Sequence, residues 1–379
     1  MKKKYLILFL CCVTLGGCAP TEAVVENSEV STGTSEYEKV LASLDEELIE
    51  NLPQTIECTV NDKLIVDAEI NTWDAEDYLV KSGKCKLINF SEDEDKSYEL
   101  MNKLAELINL NEDDCEQRYR FENNDDIYDW ENRSTHDWVQ VRKKWAIAVT
   151  HDGGIALSAS EFGEHYLPFN DKEKFKTNKE LSFMPIEEAK EMAIDTVNEF
   201  EIEVCNRCEI YTLDESNTLL FPESDTDKQI DTYAFFLFPS VNGIPYSRCP
   251  ENEILTGYVN QENHLQVAIN ENGISYFSIP PLYDWVETTE TKEILHPSTI
   301  LSKEVDKLKQ YLTAGDIEVK EISLEYMIFA DENEMYNIKP VWMVYYYQNQ
   351  LVQGEISYEQ RVALYDVYDA YTGEEYRIQ

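Results

Sequence analysis

Helical and strand periods alternate along this chain in one recurring order, an amphipathic helix followed by strands that close in a tight hairpin. Glu36 to Leu52 places Val40, Leu41, Leu44, Leu48 and Leu52 on a single helical stripe. That helix feeds Thr55 to Val60, a turn at Asn61-Asp62, and Lys63 to Ile70. Ser97 is placed to cap a second helix through Ile108 with Leu100, Leu104 and Leu107 inward. Trp138 to Thr150 and Ile155 to Ser160 then flank the turn His151-Asp152-Gly153-Gly154. A third helix opens at Pro185 and runs to Phe200 through Ile186, Ala189, Ala193 and Val197. Strands at Tyr233 to Phe238 and Leu265 to Ile279 follow, the latter turning at Asn272-Gly273. A fourth helix, Ser302 to Leu312, precedes strands at Ile317 to Phe329, Pro340 to Tyr347 and Val362 to Ile378, the last turning at Thr372-Gly373. Helices set beside hairpin-linked strands, rather than alternating with single strands, predict an α+β fold with helices laid on antiparallel sheets.

The hairpin glycines Gly153, Gly273 and Gly373 recur at intervals of roughly 100 to 120 residues, which predicts diverged copies of one helix-on-sheet unit. All three are expected to be structural turn positions. The expected division is an N-terminal α+β domain over residues 36–180 and a C-terminal one over 181–379, the latter made of repeats at 181–290 and 291–379. Strand segments such as Tyr345-Tyr346-Tyr347 and Tyr365-Asp366-Val367-Tyr368 are rich in tyrosine. Sheet propensity accounts for that enrichment, and an aromatic ligand platform is the alternative.

Ahead of the periodic region stand Lys2, Lys3 and Lys4, then an apolar run from Tyr5 to Val13, then Leu15-Gly16-Gly17-Cys18. A basic segment, a short apolar segment and small residues before a cysteine form an export signal. The apolar run is too short to span a bilayer of roughly 30 Å. The pattern resembles the lipobox of bacterial lipoprotein precursors. That resemblance implies a signal peptide over residues 1–17, cleavage between Gly17 and Cys18, and a mature chain lipidated on Cys18. Residues 18–35 then read as the lipidated cysteine and a flexible tether of about 20 to 25 Å. The expected location is the extracytoplasmic face of the cell membrane, with the lipid anchor as the membrane contact.

A second resemblance rests on Glu187-Glu188-Ala189 with Ala193, and on the ending Val367-Tyr368-Asp369-Ala370-Tyr371-Thr372-Gly373-Glu374. These are similar to the two ends of a PepSY-type module, a small α+β unit that serves mainly in interaction or inhibition. From Leu181 to Gln379 the chain also resembles uncharacterised lipoproteins of Gram-positive gut bacteria. The matching stretches are Val241-Asn242-Gly243-Ile244-Pro245, Glu271-Asn272-Gly273-Ile274 and Lys339-Pro340-Val341-Trp342. These are turn and core positions, and the resemblance brings no catalytic residue with it.

The chain carries 75 Asp+Glu against 32 Lys+Arg, a net charge of −43, which excludes nucleic acid as a partner because that binding rests on basic side chains. A content of 43% apolar residues with 24 Tyr and 14 Phe is nevertheless that of a folding chain. Motifs for chemistry are absent: there is no GxSxG, HExxH, P-loop or strand-linked GxGxxG. His136, His151, His165, His264 and His296 stand far apart, so no metal site and no cofactor is expected. Asp225, Asp227 and Asp231 have alternating oxygen-ligand spacing, but Ile230 stands where a calcium loop needs Gly. The acidic run Glu122 to Glu131 is no stronger. Outside the signal, Cys58, Cys85, Cys115, Cys205, Cys208 and Cys249 permit three disulfides in any of fifteen pairings. Cys205-Asn206-Arg207-Cys208 has redox spacing but lacks the strand-to-helix setting that activates such a pair.

Three function classes fit. The first is a non-catalytic binding or regulatory module, tethered to the membrane, whose partner is a protein or peptide. The second is a surface hydrolase or carbohydrate-active protein with acids and Trp130, Trp138, Trp145, Trp285 or Trp342 around a cleft. The third is a structural envelope component. The missing catalytic motifs place the binding module first.

Overall fold

A computed structural model describes residues 35–45, 47–75, 78–88, 93–121, 137–143, 145–150, 154–159, 179–214, 231–247, 264–310, 315–330, 335–352 and 358–376. Residues Ser35 to Gln379 belong to one compact unit.

Helix α1 (Glu36–Leu44) begins with a capping box. Ser35 Oγ accepts from Glu38 N at 3.2 Å, and Ser35 N donates to the Glu38 carboxylate at 2.8 Å. The helix stops well short of Leu52. Asp45 and Glu47 oppose the helix dipole at its C-terminal end. The chain resumes only as a short 3-10 turn, Ile49–Asn51, and Leu48 is left 60% exposed. Strands β1 (Thr55–Asn61) and β2 (Leu64–Asn71) form the expected hairpin, and β3 (Leu79–Leu87) follows. Helix α2 (Glu94–Leu107) is capped by Asp93, whose carboxylate accepts from Lys96 N at 3.1 Å. Ser97, expected as the cap, is instead buried inside the helix.

Strands β4 (Cys115–Phe121), β5 (Asp137–Arg142), β6 (Trp145–Val149) and β7 (Ile155–Ala159) come next. The single strand expected from Trp138 to Thr150 is thus two, folded back at Lys143, whose φ is 53°. Helix α3 (Ile186–Asn198) starts directly after Pro185. It leads to β8 (Val204–Leu213), β9 (Thr232–Val241), the short β10 (Ile244–Pro245), β11 (Leu265–Asn270), β12 (Gly273–Ile279) and β13 (Tyr283–Glu293). Helix α4 (Pro297–Leu308) starts before the expected Ser302, because His296 Nδ1 accepts from Ser298 N at 3.2 Å and Pro297 occupies the first turn. The described chain closes with β14 (Ile317–Ala330), β15 (Tyr336–Val352) and β16 (Tyr358–Asp369).

Two mostly antiparallel sheets result, as the α+β expectation requires. The seven-stranded sheet runs β1-β2-β14-β15-β3-β13, with β16 also paired to β15. The nine-stranded sheet runs β10-β9-β11-β12-β7-β6-β5-β4, with β8 paired to β9. Among the named pairs only β2 with β14 is parallel. The chain therefore opens the first sheet, leaves it after β3, builds the whole second sheet, and returns with β13 to β16. The expected boundaries at 180/181 and 290/291 do not follow this path, since segments on both sides of residue 180 supply both sheets. The reason is that a short hairpin cannot bury its own apolar face. β2 and β3 gain their coverage only when the long β14–β15 hairpin fills the gap between them.

Each sheet carries its helices on one face. Tyr37 and Leu44 of α1, with Ile300, Leu301, Val305 and Leu308 of α4, pack on Val66, Ile322, Leu324, Trp342 and Val344 of the seven-stranded sheet. Met101 and Leu104 of α2, with Ala189, Ala193 and Val197 of α3, pack on Ile147, Phe235, Val267 and Phe277 of the nine-stranded sheet. Fully burying one such side chain contributes about 1.5–3 kcal/mol. Strand β9 is buried on both faces, with Tyr233, Phe235 and Leu237 under the helices and Ala234, Phe236 and Phe238 on the opposite side. Gly273 and Gly373 take φ of +98° and +64°, as hairpin turns demand, and Gly153 lies outside the described residues.

The cysteines depart from the expected framework. No disulfide joins Cys58, Cys85, Cys115, Cys205 or Cys208 to another described cysteine, and Cys249 lies outside the described residues. Cys58 and Cys85 are buried in one core, where burial pushes the Cys85 thiol up to about 12. Cys205 and Cys208 face opposite sides of their sheet, one toward Phe236 and Phe238, the other toward the α3 side. Their sequence spacing therefore cannot act as a dithiol pair.

Candidate functional site at the junction of the sheets

Strand β10 joins the two sheets. Ile244 pairs with Val241 of β9, and Tyr246 then forms a parallel bridge to Tyr326 of β14, with Ser247 N donating to Tyr326 O at 2.6 Å. The turn between β9 and β10 uses Asn242 and Gly243 at φ of 50° and 74°. Asp74 lies directly against it, its N–H donating to Gly243 O at 3.3 Å. A Cβ at residue 243 would fall 2.5 Å from the Asp74 Cβ, so both conformation and space require glycine there.

Two carboxylates are fixed at this junction. Asp74 Oδ2 accepts from Asn206 N at 2.9 Å. Glu203 Oε1 accepts from Gly243 N at 2.9 Å and from Ser240 Oγ at 3.3 Å. Both line a cavity of about 540 Å³, together with Lys81, Asn242, Leu79 and Tyr326. The floor is rigid. Tyr326 is buried, its hydroxyl donates to Lys81 O at 2.9 Å, and its ring meets Trp285 edge-on at 5.8 Å. Burial pushes the Tyr326 hydroxyl well above its ordinary range, so it stays a neutral donor.

Beside the cavity the Arg207 guanidinium lies 4.1 Å from the Phe238 ring and 5.0 Å from the Trp73 ring. Its charge is matched by Glu209 at 2.9 Å, which also accepts from Tyr211 Oη at 2.8 Å. Trp73, at φ 54°, donates through Nε1 to Ser323 Oγ at 3.2 Å. One cation–aromatic stack thus links a loop of the first sheet to a strand of the second. In the sequence Arg207 stands out only as part of the Cys205-Asn206-Arg207-Cys208 spacing, and Trp73 carries no signal of its own. The available signal was the Asn242-Gly243 dipeptide, which marks a two-residue hairpin turn.

The other expected residues are distributed as follows. Cys18 and Gly17 lie outside the described residues, as do His136, His151, His165, Asp225, Asp227, Trp130 and the run 122–131. His264 packs edge-on against Phe236 at 4.3 Å, and His296 serves as the α4 cap. Trp145 joins the core beneath α2 and α3, whereas Trp285 and Trp342 join the core beneath α1 and α4, so these three do not gather around a cleft. Alternation divides the tyrosines: Tyr346 and Tyr368 face α4, and Tyr345 and Tyr365 face the opposite side. Among the described residues no group of three His, Cys, Asp or Glu is arranged to hold a metal ion, and no helix is long and apolar enough to cross a membrane.

No family model matches the chain, and no curated protein matches it. It is similar to an uncharacterised protein of Eubacterium rectale whose crystal structure was solved at 1.45 Å. The two are 60% identical, the match covers 91% of this chain and 99% of the other, and the TM-score is 0.81. The chain belongs to the same protein family as that uncharacterised Eubacterium rectale protein.

Proposed function

We propose that the protein is a lipoprotein held through Cys18 at the extracytoplasmic face of the cell membrane, and that its body binds a cationic peptide or protein segment without turning it over. The observation that carries this reading is the junction cavity, where Asp74 and Glu203 stand among Leu79, Val80 and Ile244. Such a lining suits a lysine or arginine side chain, whose aliphatic stem wants apolar walls and whose head wants carboxylate. The net charge of −43 would speed the approach of a basic partner and repel an acidic one. In this reading the two helix-backed sheets are diverged copies of one α+β module of the PepSY-like kind, with the partner bound where the copies meet.

The test is titration of the full-length protein with Lys-rich, neutral and Glu-rich peptides of equal length. Binding confined to the Lys-rich series, weakened by salt and by Asp74→Asn with Glu203→Gln, supports the proposal. Equal binding of the Glu-rich series overturns it, as does turnover of any peptide, ester or glycan that one carboxylate substitution abolishes. The anchor is tested separately: Cys18→Ala should abolish labelling by a fatty-acid probe, and an unlabelled wild-type protein ends the lipoprotein reading.

A further inference from the structure

Beneath α4, away from the junction cavity, a carboxylic side chain is buried where nothing positive touches it. Glu304 is 0% exposed, and its Oε2 accepts from Tyr368 Oη at 2.5 Å. The described cation nearest in the network, Lys307, is already held by two other acids, Asp366 and Glu375, each at 2.7 Å. Glu304 Oε1 and Asp366 Oδ2 are both buried and accept no hydrogen bond, yet the two carboxyl groups lie within hydrogen-bonding reach of each other. The groups that face this pair are Lys307 from α4, Tyr346 from β15, Tyr368 from β16 and Glu375 beyond it.

We propose that Glu304 is the protonated member of a carboxyl–carboxylate pair with Asp366, and that the shared proton fastens α4 to β16, so that rising pH loosens this helix from the sheet. Two ionised carboxylates in contact would repel, and each would keep an oxygen without a donor. One proton removes both problems, because neutral Glu304 donates through Oε1 to Asp366 Oδ2 while its other oxygen still accepts from Tyr368. Lys307 then balances Asp366 and Glu375 alone. On deprotonation the proton leaves to solvent, and three carboxylates share one ammonium group in a buried space.

The electrostatics agree in direction. Burial, reinforced by Asp366, pushes the Glu304 carboxyl up to about 8. Burial raises Tyr346 and Tyr368 as well, so both remain neutral donors. Because the folded value is raised, the stability due to Glu304 is fully present below its ordinary value of 4.5 and is lost as pH climbs through about 8.

Infrared spectroscopy of the full-length protein tests the pair directly. At pH 6.5 ordinary carboxyl groups are ionised, so a remaining carboxylic-acid C=O band reports a protonated buried acid. The band should vanish in Glu304→Gln and should titrate away near pH 8 in the wild type. In Asp366→Asn, which removes the neighbouring charge, it should titrate at lower pH. Melting temperature should fall from pH 6 to pH 9 in the wild type and stay nearly level in Glu304→Gln. A wild-type protein with no acid band at pH 6.5 overturns the proposal, even if the variants fail to fold. A band that persists in folded Glu304→Gln, or an equal fall in melting temperature in that variant, overturns it too.

Discussion

The two faces of the seven-stranded sheet use neighbouring tyrosines in opposite ways. Tyr346 and Tyr368 point under α4, into the network of Glu304, Asp366 and Lys307, where every hydroxyl has an acid to serve. Tyr345 and Tyr365 point the other way and meet across strands with ring centroids 6.1 Å apart, beside Met343 and Val367. On that side Arg361 lies 4.1 Å over the Tyr347 ring. One strand pair therefore carries a polar, helix-covered network on one face and, on the other, a layer of rings, methionines and aliphatic groups that meets a single buried acid, Glu325, through Tyr345 at 3.3 Å. Residue type does not decide the role of a tyrosine here; the parity of its position along the strand does.

The largest effect that would break this contrast belongs to Trp342, fully buried on the helix-covered face, with Nε1 donating to Leu295 O at 2.9 Å. Trp342→Ala should cost about 3–5 kcal/mol in urea unfolding, and a cost under about 1 kcal/mol would mean that α4 does not seal this face. Next is the hairpin end that α4 touches. A Cβ at residue 373 would meet Lys303 Nζ at 2.6 Å and Leu295 Cδ1 at 2.8 Å, whereas at residue 273 it would meet nothing within 4 Å. Both glycines have positive φ, so Gly273→Ala should cost about 1 kcal/mol by strain alone and Gly373→Ala measurably more. Equal melting temperatures for the two variants would remove the distinction.

The contrast between faces is sharpened by a matched pair of hydroxyl deletions. Tyr368→Phe strips a buried acceptor of its donor and should cost about 1–3 kcal/mol. Tyr345→Phe removes longer contacts, to Glu325 at 3.3 Å and to Met343 Sδ at 3.4 Å, and should cost less than half as much under the same denaturant assay. The smallest effect is expected at the irregularity early in β14, where Lys320 meets Asp67 at 2.6 Å and Glu318 at 3.3 Å with its side chain 34% exposed. Lys320→Ala should change stability by about 0–1 kcal/mol, and less in high salt.

Much of the local structure was legible. The helix stripes and the Asn-Gly and Thr-Gly turns locate α2, α3, the β11–β12 hairpin and the end of β16 because those signals are set within a few residues. Strands β3 and β13 carried no such signal. Lys81-Ser82-Gly83-Lys84 and Glu287-Thr288-Thr289-Glu290 alternate poorly, and these segments become strands because Gly83 leaves room for the Trp285 ring, whose atoms would lie 2.5 Å from an added Cβ. The sharing of sheets between chain ends was not legible, since pairing β2 with β14 is a long-range choice. The junction site depends on that choice, as Asp74 and Gly243 meet only after both sheets exist. Glu304 did leave a mark in the sequence. It occupies a place on the stripe formed by Ile300, Leu301, Val305 and Leu308, but starting the helix at Ser302 hides half of that stripe.

The excursion of the chain out of one sheet and back has a consequence for how the protein reaches its final form. The nine-stranded sheet is built from one continuous stretch and can assemble as soon as that stretch has emerged. The seven-stranded sheet must hold β1 to β3 unsatisfied until β14 and β15 are synthesised and delivered, so its closure carries the larger loop entropy and the higher contact order. Folding should accordingly proceed in two kinetic stages, with the second sheet protected early in pulsed hydrogen exchange and the first protected late. During the interval the open edges of β2 and β3 are the surfaces most exposed to wrong pairing with another copy of the chain.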